Sequence, residues 1–586
     1  MNLNYCFHHN KIFCDMEDKN SYTQDGTVDL RGKRVLSSTT GQWKACRYIL
    51  AYQALERFAY FGVAANLVNY MTSQLHKDLV SSISDVNNWS GVAWITPILG
   101  AYIADSHYMG RFWTVTLSLL IYTIGVVLLV LTTWLKSLRP KWNSNASNLQ
   151  LSLFNLSLYT IAIGSGALKP NMSTFGADQF DDFNSKEKQL KGSFFNWWTF
   201  HTSCGALVAT LAVVYIQEKV RWECGYALCA IGFLFSVIVF FLGTPLYRHK
   251  SRNAKTCHEK DFIRVILLAF TNRNLQLPTS PSELHEFDLQ HYVNSGTRQI
   301  HHTPRFRLVL NCYRFLDKAA IKESKNAACT VTQVEGTKLV LGMLEIWLLM
   351  LIPSNFLAVE MTIFVKQGTT LDRSLGQSFR IPAASLWSFL VVTMLISLPI
   401  YDTYFVPFMR RRTGNMRGIT LLQRLGAGIA VQAVAMAVCC AVEIQRMNVI
   451  AQQHISGHEK IVPMSIFWLL PQYILLGIAD TFLMSGLLEF FYDQSPEEMK
   501  GLGTTFFTSS VAAGSFFCTF LVTMTDNVTG KVSGKRWIGN NLNDSHLDYY
   551  YAFLFVISLL NFGAFLWASS GYTYKKENTL ELESPL

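Results

Sequence analysis

The chain has 586 residues, 50% of them hydrophobic, 13% aromatic and only 15% charged. A soluble protein carries about 25% charge, so the composition excludes an ordinary soluble domain and points to a membrane protein with many spans. The net charge of +10 is then a loop bias toward the cytoplasm rather than a nucleic-acid footprint.

The first 40 residues contain no apolar core of the roughly 7–15 residues that a signal peptide needs, so residues 1–44 are expected to form a cytosolic tail. Cys6, His8, His9 and Cys14 within it are metal-ligand types, but the segment is short and isolated, and no metal site is expected. The twelve cysteines are scattered without a paired framework, and no disulfide scaffold is inferred. Apolar runs of about 20 residues read as spanning helices. Expected cores are 45–71, 88–106, 112–135, 151–171, 192–216, 224–246, 338–364, 381–405, 418–443, 464–492, 502–525 and 547–570. The expectation is an all-α membrane protein of twelve transmembrane helices: six helices in 45–246, a polar linker at 247–337 with 14 Lys and Arg, six helices in 338–571, and a cytosolic tail at 572–586. Two six-helix halves around a long loop are the pattern of parallel-repeat transporters.

The first span, Ala51–Tyr70, carries adjacent opposite charges, Glu56 and Arg57. A charged side chain in a membrane helix costs about 2.5–3.5 kcal/mol on insertion scales. Gln53, Glu56, Arg57 and Tyr60 fall at helical spacings of three and four and share one face. That face either looks into a transport cavity or holds a pair that snorkels to the surface. Orientation follows from Lys and Arg: Arg410, Arg411, Arg412 and Arg417 after the eighth span, Lys186, Lys188 and Lys191 after the fourth, and the basic linker place both termini inside. Lys531, Lys535 and Arg536 between spans eleven and twelve oppose this. The sequons at Asn145, Asn527 and Asn543, all in loops expected outside, offset them in part.

After the second span comes Gly100-Ala-Tyr-Ile-Ala-Asp105-Ser-His-Tyr-Met-Gly110-Arg111. Its glycines permit a tight turn and close helix approach, and Asp105 with Arg111 can latch one conformation. The spacing resembles the cytoplasmic loop motif of the major facilitator superfamily. The fourth span holds Lys169 beside Pro170, a buried cation or a snorkelling one, at a residue that favours a kink. Gly176-Ala-Asp-Gln-Phe-Asp-Asp182 and Phe194-Phe-Asn-Trp-Trp198 follow. Both look like signatures of the proton-coupled oligopeptide transporter family. Val86-Asn-Asn-Trp-Ser-Gly91, Phe315-Leu-Asp-Lys-Ala-Ala320, Lys366-Gln-Gly-Thr-Thr-Leu-Asp-Arg373, Arg417-Gly-Ile-Thr-Leu-Leu-Gln-Arg424 and Pro471-Gln-Tyr473 resemble motifs of its plant nitrate and peptide branch. The text is most similar to di- and tripeptide transporters, with nitrate carriers as near relatives.

The resemblance implies a major facilitator fold, alternating access and symport with protons. The family's E-x-x-E-R proton motif reads Gln53-Ala-Leu-Glu56-Arg57 here. Gln53 cannot take up and release a proton in the physiological range. Glu56, Arg57, Asp480 and Glu345 are the expected proton-coupling residues, with Glu360 a further candidate near the expected outer end, where water reaches it. Gln53, Arg57, Tyr60, Lys169, Asp480 and Trp198 are the expected substrate contacts, Trp198 alternatively serving packing. Lys169 and Asp480 match a pair between the halves, whose making and breaking would gate transport. Leu357 stands where nitrate carriers of the family can use a histidine. Arg111-Phe-Trp-Thr114 matches a regulatory phosphosite of a nitrate-transporting relative, and phosphate at Thr114 would disturb the latch of Gly100, Asp105, Gly110 and Arg111. Partners are then a small solute, protons and the bilayer of the plasma or vacuolar membrane. No nucleic acid and no cofactor is implied, and the state is a monomer or weak dimer. A proton-independent facilitator or exporter, and a nutrient sensor with little flux, are the alternatives. No enzyme motif is present.

Overall fold

The computed structural model describes residues 22–105, 109–140, 144–181, 183–250, 259–276, 315–321, 329–377, 379–414, 417–455, 461–495, 500–532, 536–572 and 574. The cysteines and histidines of the far N-terminus, most of the linker and the last residues lie outside them. The first half comprises α1 (Gln42–Ala64) with its short continuation α2 (Leu67–Ser73), α3 (Leu79–Asp105), α4 (Gly110–Trp134), α5 (Asn148–Ala177), α6 (Ser185–Val208) and α7 (Val214–Lys219), joined by a π-turn, and α8 (Trp222–Leu242). A linker helix, α9 (Glu259–Thr271), follows. The second half holds α10 (Val331–Leu349), α11 (Leu351–Met361) and α12 (Ile363–Thr369), which form one interrupted span, then α13 (Trp387–Ile400) and α14 (Val406–Thr413) around a second π-turn, α15 (Leu421–Gln452), α16 (Leu470–Gln494), α17 (Lys500–Val532) and α18 (Leu547–Gly571).

Among the described residues nine helices are long and apolar enough to cross a membrane, and the pair bent by 44° between α10 and α11 makes ten. α1 and α3 have the length, with 23 and 27 residues, but carry many polar side chains because they line the interior. Lipid-facing helices show the reverse pattern, with Leu120, Ile231 and Leu560 exposed on the outer surface. Capping boxes start α5 at Ser147–Gln150, α10 at Thr330–Gln333 and α15 at Thr420–Gln423, each satisfying two orphan backbone groups.

α5 runs unbroken through Pro170. The break falls instead near Pro353, in the first turn of α11, where the missing N–H leaves the Leu349 carbonyl without its helical donor. Two short sheets cap one end. β1 (Leu371–Asp372) pairs in parallel with β4 (Val462–Ser465), and β2 (Ser374–Leu375) forms a hairpin with β3 (Phe379–Arg380).

The halves meet along two seams, α3 against α17 and α6 against α13. At the end of the bundle away from the termini, Arg373 pairs with Glu218 at 2.9 Å, Lys366 Nζ donates to Thr72 Oγ1 at 2.9 Å, and the Leu79 amide donates to Asn540 Oδ1 at 2.7 Å. Each of these ties one half to the other. Two expected sequons do not sit in open loops: Asn527 is inside α17, and Asn543 is buried and accepts from Arg446 at 2.8 Å. Arg536, one of the charges opposing the expected orientation, is paired with Asp526.

Candidate functional site

α1 brings Gln53, Glu56, Arg57 and Tyr60 to one buried face, as their spacing requires. α6 approaches closely because Gly205 faces this helix: a Cβ there would lie 2.2 Å from the Ala54 carbonyl oxygen. Arg57 Nε donates to Glu56 Oε2 at 2.5 Å, and the guanidinium lies 5.1 Å from the Tyr60 ring centroid. Glu56 Oε1 has no hydrogen-bond partner among the described residues. Gln53 Nε2 donates to Thr202 Oγ1 at 2.9 Å, so the position that would carry a proton in an E-x-x-E-R motif holds a neutral hydrogen bond.

Lys169 reaches this cluster from α5. Its Nζ lies 4.1 Å from the Trp94 ring centroid and 4.9 Å from that of Tyr60, and donates to the Ala93 carbonyl at 3.2 Å. Tyr60 is therefore flanked by two cations and stacks on Trp89 at 5.6 Å. An ammonium over aromatic faces gains roughly 2 kcal/mol when desolvated.

The second half contributes acids. Asp480 of α16 and Glu360 of α11 are only 2% and 1% exposed and lie within electrostatic reach of each other. Both Glu360 carboxylate oxygens and Asp480 Oδ1 lack hydrogen-bond partners among the described residues. The Trp387 indole N–H lies beside Glu360, short of hydrogen-bond geometry. Its ring stacks on Phe61 of α1 at 5.0 Å, and Phe61 meets Tyr60 edge-on at 5.4 Å. A row of rings thus connects the cationic cluster of one half to the acidic pair of the other.

The expected Lys169–Asp480 ion pair is not formed: Lys169 rests on aromatic rings, and Asp480 faces an acid. Spacing along one chain segment does not specify which charges meet across the seam. Glu360 is not a hydrated outer residue but a buried partner of Asp480. Glu345 sits half-buried on α10, on the other side of the break. Trp198 packs on Phe194 at 5.9 Å, one turn below Thr202. Leu357 is half-buried.

The latch is wider than one loop. Gly110 has φ +71°, which suits the turn into α4. The Gly100 carbonyl accepts from Asn171 at 2.9 Å. Arg111 pairs with Asp178 of the Gly176–Asp182 signature, which also binds Lys250 at 3.0 Å. The side chain of Asp105 lies outside the described residues. Thr114 is buried, and its hydroxyl donates to the Gly110 carbonyl at 2.9 Å.

Two buried ion pairs escaped the sequence reading. Arg446 Nη2 meets Glu443 Oε1 at 2.6 Å, and Arg248 Nη1 meets Glu187 Oε2 at 2.8 Å. The first had a signal, opposite charges three apart at the end of an apolar run. The second joins residues distant in sequence and had none.

A family profile described as "PTR2: POT family" matches residues 112–538. The chain is 58% identical over 567 residues to Protein NRT1/PTR FAMILY 5.1 of Arabidopsis thaliana, covering 96% of each, and 45% identical over 570 residues to Protein NRT1/PTR FAMILY 5.3 of the same plant, covering 95% of each. The crystal structure of the POT family transporter PepTSo superposes with a TM-score of 0.67 at 20% identity, covering 90% of this chain and 98% of that one. An auto-inhibited POT family peptide transporter superposes with a TM-score of 0.68, also at 20% identity, covering 91% and 98%. The buried charges, the apolar spans and these likenesses agree: the chain is a multi-pass membrane transporter with a major facilitator fold and belongs to the POT family.

Proposed function

We propose that the protein moves small nitrogenous solutes, di- or tripeptides or nitrate, together with protons by alternating access, working as a monomer or weak dimer. The observation that carries this reading is the placement of charge: Lys169 and the paired Arg57 and Glu56 in one half, the buried acids Glu360 and Asp480 in the other. Arg57 and Lys169 would hold a carboxylate or nitrate. The acidic pair would hold a peptide amino group or a proton, since two buried carboxylates are costly while both are ionised. The ties at the end away from the termini fit a state closed on that side. The basic loops favour cytosolic termini, in the plasma or the vacuolar membrane. The test is uptake of labelled dipeptide and of nitrate at pH 5.5 and 7.5 in cells expressing the chain, with Gln53→Glu alongside. Acid-stimulated uptake abolished by Asp480→Asn supports the reading. Uptake indifferent to pH and to Asp480→Asn overturns it.

The neutral Gln53–Thr202 bond favours one second reading, a facilitator without a proton step. Flat pH dependence that turns acid-stimulated in Gln53→Glu would select it.

A further inference from the structure

Residues 22–40, which precede α1, form a folded strap. Bridges Tyr22–Leu36 and Val28–Arg34 close it on itself, and Val28 exchanges two 2.8 Å backbone hydrogen bonds with His249. It is fastened to the loop between α5 and α6, where the Gln24 amide donates to Asp181 Oδ2 at 2.6 Å, and to the first turn of α6, where Ser37 Oγ donates to Glu187 Oε1 at 3.0 Å. Glu187 also accepts from Gln42 Nε2 at 2.7 Å, the Asp181 amide at 2.8 Å and Arg248 Nη1 at 2.8 Å. Arg248 is fully buried and spends its other donors on the Ser37 carbonyl (3.0 Å), the Thr40 carbonyl (2.8 Å), the Gln179 carbonyl (3.1 Å) and the Thr40 hydroxyl (3.3 Å).

Around Ser37 the chain reads Arg31-Gly-Lys-Arg34-Val-Leu-Ser37. Arg31, Lys33, Arg34, Leu36, Ser38 and Thr39 are exposed. A serine three residues after an exposed arginine, with more cations upstream, is the charge pattern that an arginine-directed protein kinase reads. The same spacing at Thr114 lies inside a helix with its hydroxyl buried. We propose that Ser37 is a phosphorylation site and that phosphate there unfastens the strap from Glu187 and the loop between α5 and α6. The kinase transfers the γ-phosphoryl group of ATP: the Ser37 Oγ–P bond forms, the bond to the β-phosphate oxygen breaks, ADP leaves, and the hydroxyl proton passes to the kinase base. The hydrogen that Ser37 donates to Glu187 is then gone, and a group of charge about −1.5 to −2 sits against a carboxylate. Arg248 cannot turn to the phosphate without abandoning Glu187 and the carbonyls it holds.

In cells this needs the cytosolic terminus of the proposed function, whereas the test below reads no transport. The full-length protein in phospholipid nanodiscs is treated with an arginine-directed kinase and Mg-ATP, and phosphopeptides and amide hydrogen exchange are measured by mass spectrometry. The expected result is phosphate on Ser37, absent in Ser37→Ala, with exchange at Gln24 and Val28 faster by about ten-fold, as loss of a charge-assisted hydrogen bond implies. Glu187→Gln, which removes the repelling charge, should shrink the increment that phosphate adds. No phosphate on Ser37 of the full-length chain, or complete phosphorylation with unchanged exchange, overturns the proposal. Either failure leaves the transport reading standing, whereas an N-terminal tag found outside intact cells would sink the cellular role and the proposed orientation together.

Discussion

Lys169 is a half-buried cation held by rings and a carbonyl, and across the seam both Glu360 carboxylate oxygens and Asp480 Oδ1 have no hydrogen-bond partner among the described residues. Replacing either acid by its amide removes a charge without changing shape. Glu360→Gln is expected to leave the protein at the membrane while the ratio of uptake at pH 5.5 to uptake at 7.5 collapses by about ten-fold, equivalent to roughly 1.4 kcal/mol of coupling. An unchanged ratio would remove Glu360 from the proton path. The face of Gln53, Glu56, Arg57 and Tyr60 was legible in the sequence because helical spacing alone gathers it. The partnership of Glu360 with Asp480 was not, because it joins α11 to α16 through tertiary packing. Buried pairs that are fully bonded behave differently: Arg446 satisfies Glu443, Asn543 and the Leu542 carbonyl at once. Arg446→Met should cost about 3–5 kcal/mol by stranding Glu443, read as a lower unfolding temperature of the detergent-solubilised protein. Adding Glu443→Leu should recover part of it, and no recovery would show that the pair acts through shape rather than charge.

At the level of elements, spans were legible wherever apolar length exceeded what a core helix needs, and their irregularities were not. Pro170 and Pro353 look alike in sequence, yet only the second coincides with a break, because α5 is packed on both α3 and α4 while α11 begins where α10 has ended. The strap was invisible beforehand, since polar turns carry no periodic signal. Its anchor Glu187 titrates below the ordinary value of 4.5: burial pushes the carboxyl up, but the Asp181 amide and the Arg248 guanidinium outweigh it. A folded value below the unfolded one contributes stability that is complete above about 4.5 and is lost as pH falls through the folded value. Amide exchange in residues 22–40, corrected for intrinsic rate, should therefore stay flat between pH 7.5 and 5.5 and rise below 4.5. A rise already near pH 6 would assign the fastening to another group.

For the whole molecule, the all-α membrane fold was legible in the apolar runs, but the conformation was not, since one sequence serves every state of a transport cycle. The Arg373–Glu218 pair at the end away from the termini is partly exposed, and such pairs contribute only about 0–1 kcal/mol. Arg373→Glu should raise the reactivity of a cysteine placed in the cavity toward an impermeant maleimide added from that side, by no more than about five-fold. The swap Glu218→Arg with Arg373→Glu should restore the native rate, and an unaltered rate in both would mean that the pair does not guard this entrance.

The stack of Phe61 on Trp387 crosses the seam between the halves at the depth of the buried charges. Flat rings slide over one another at little cost, whereas a hydrogen bond at the same place would have to break. Under the alternating access proposed above, the contact would serve as a lubricated bearing about which the halves tilt, its rings remaining between the cations and the acids.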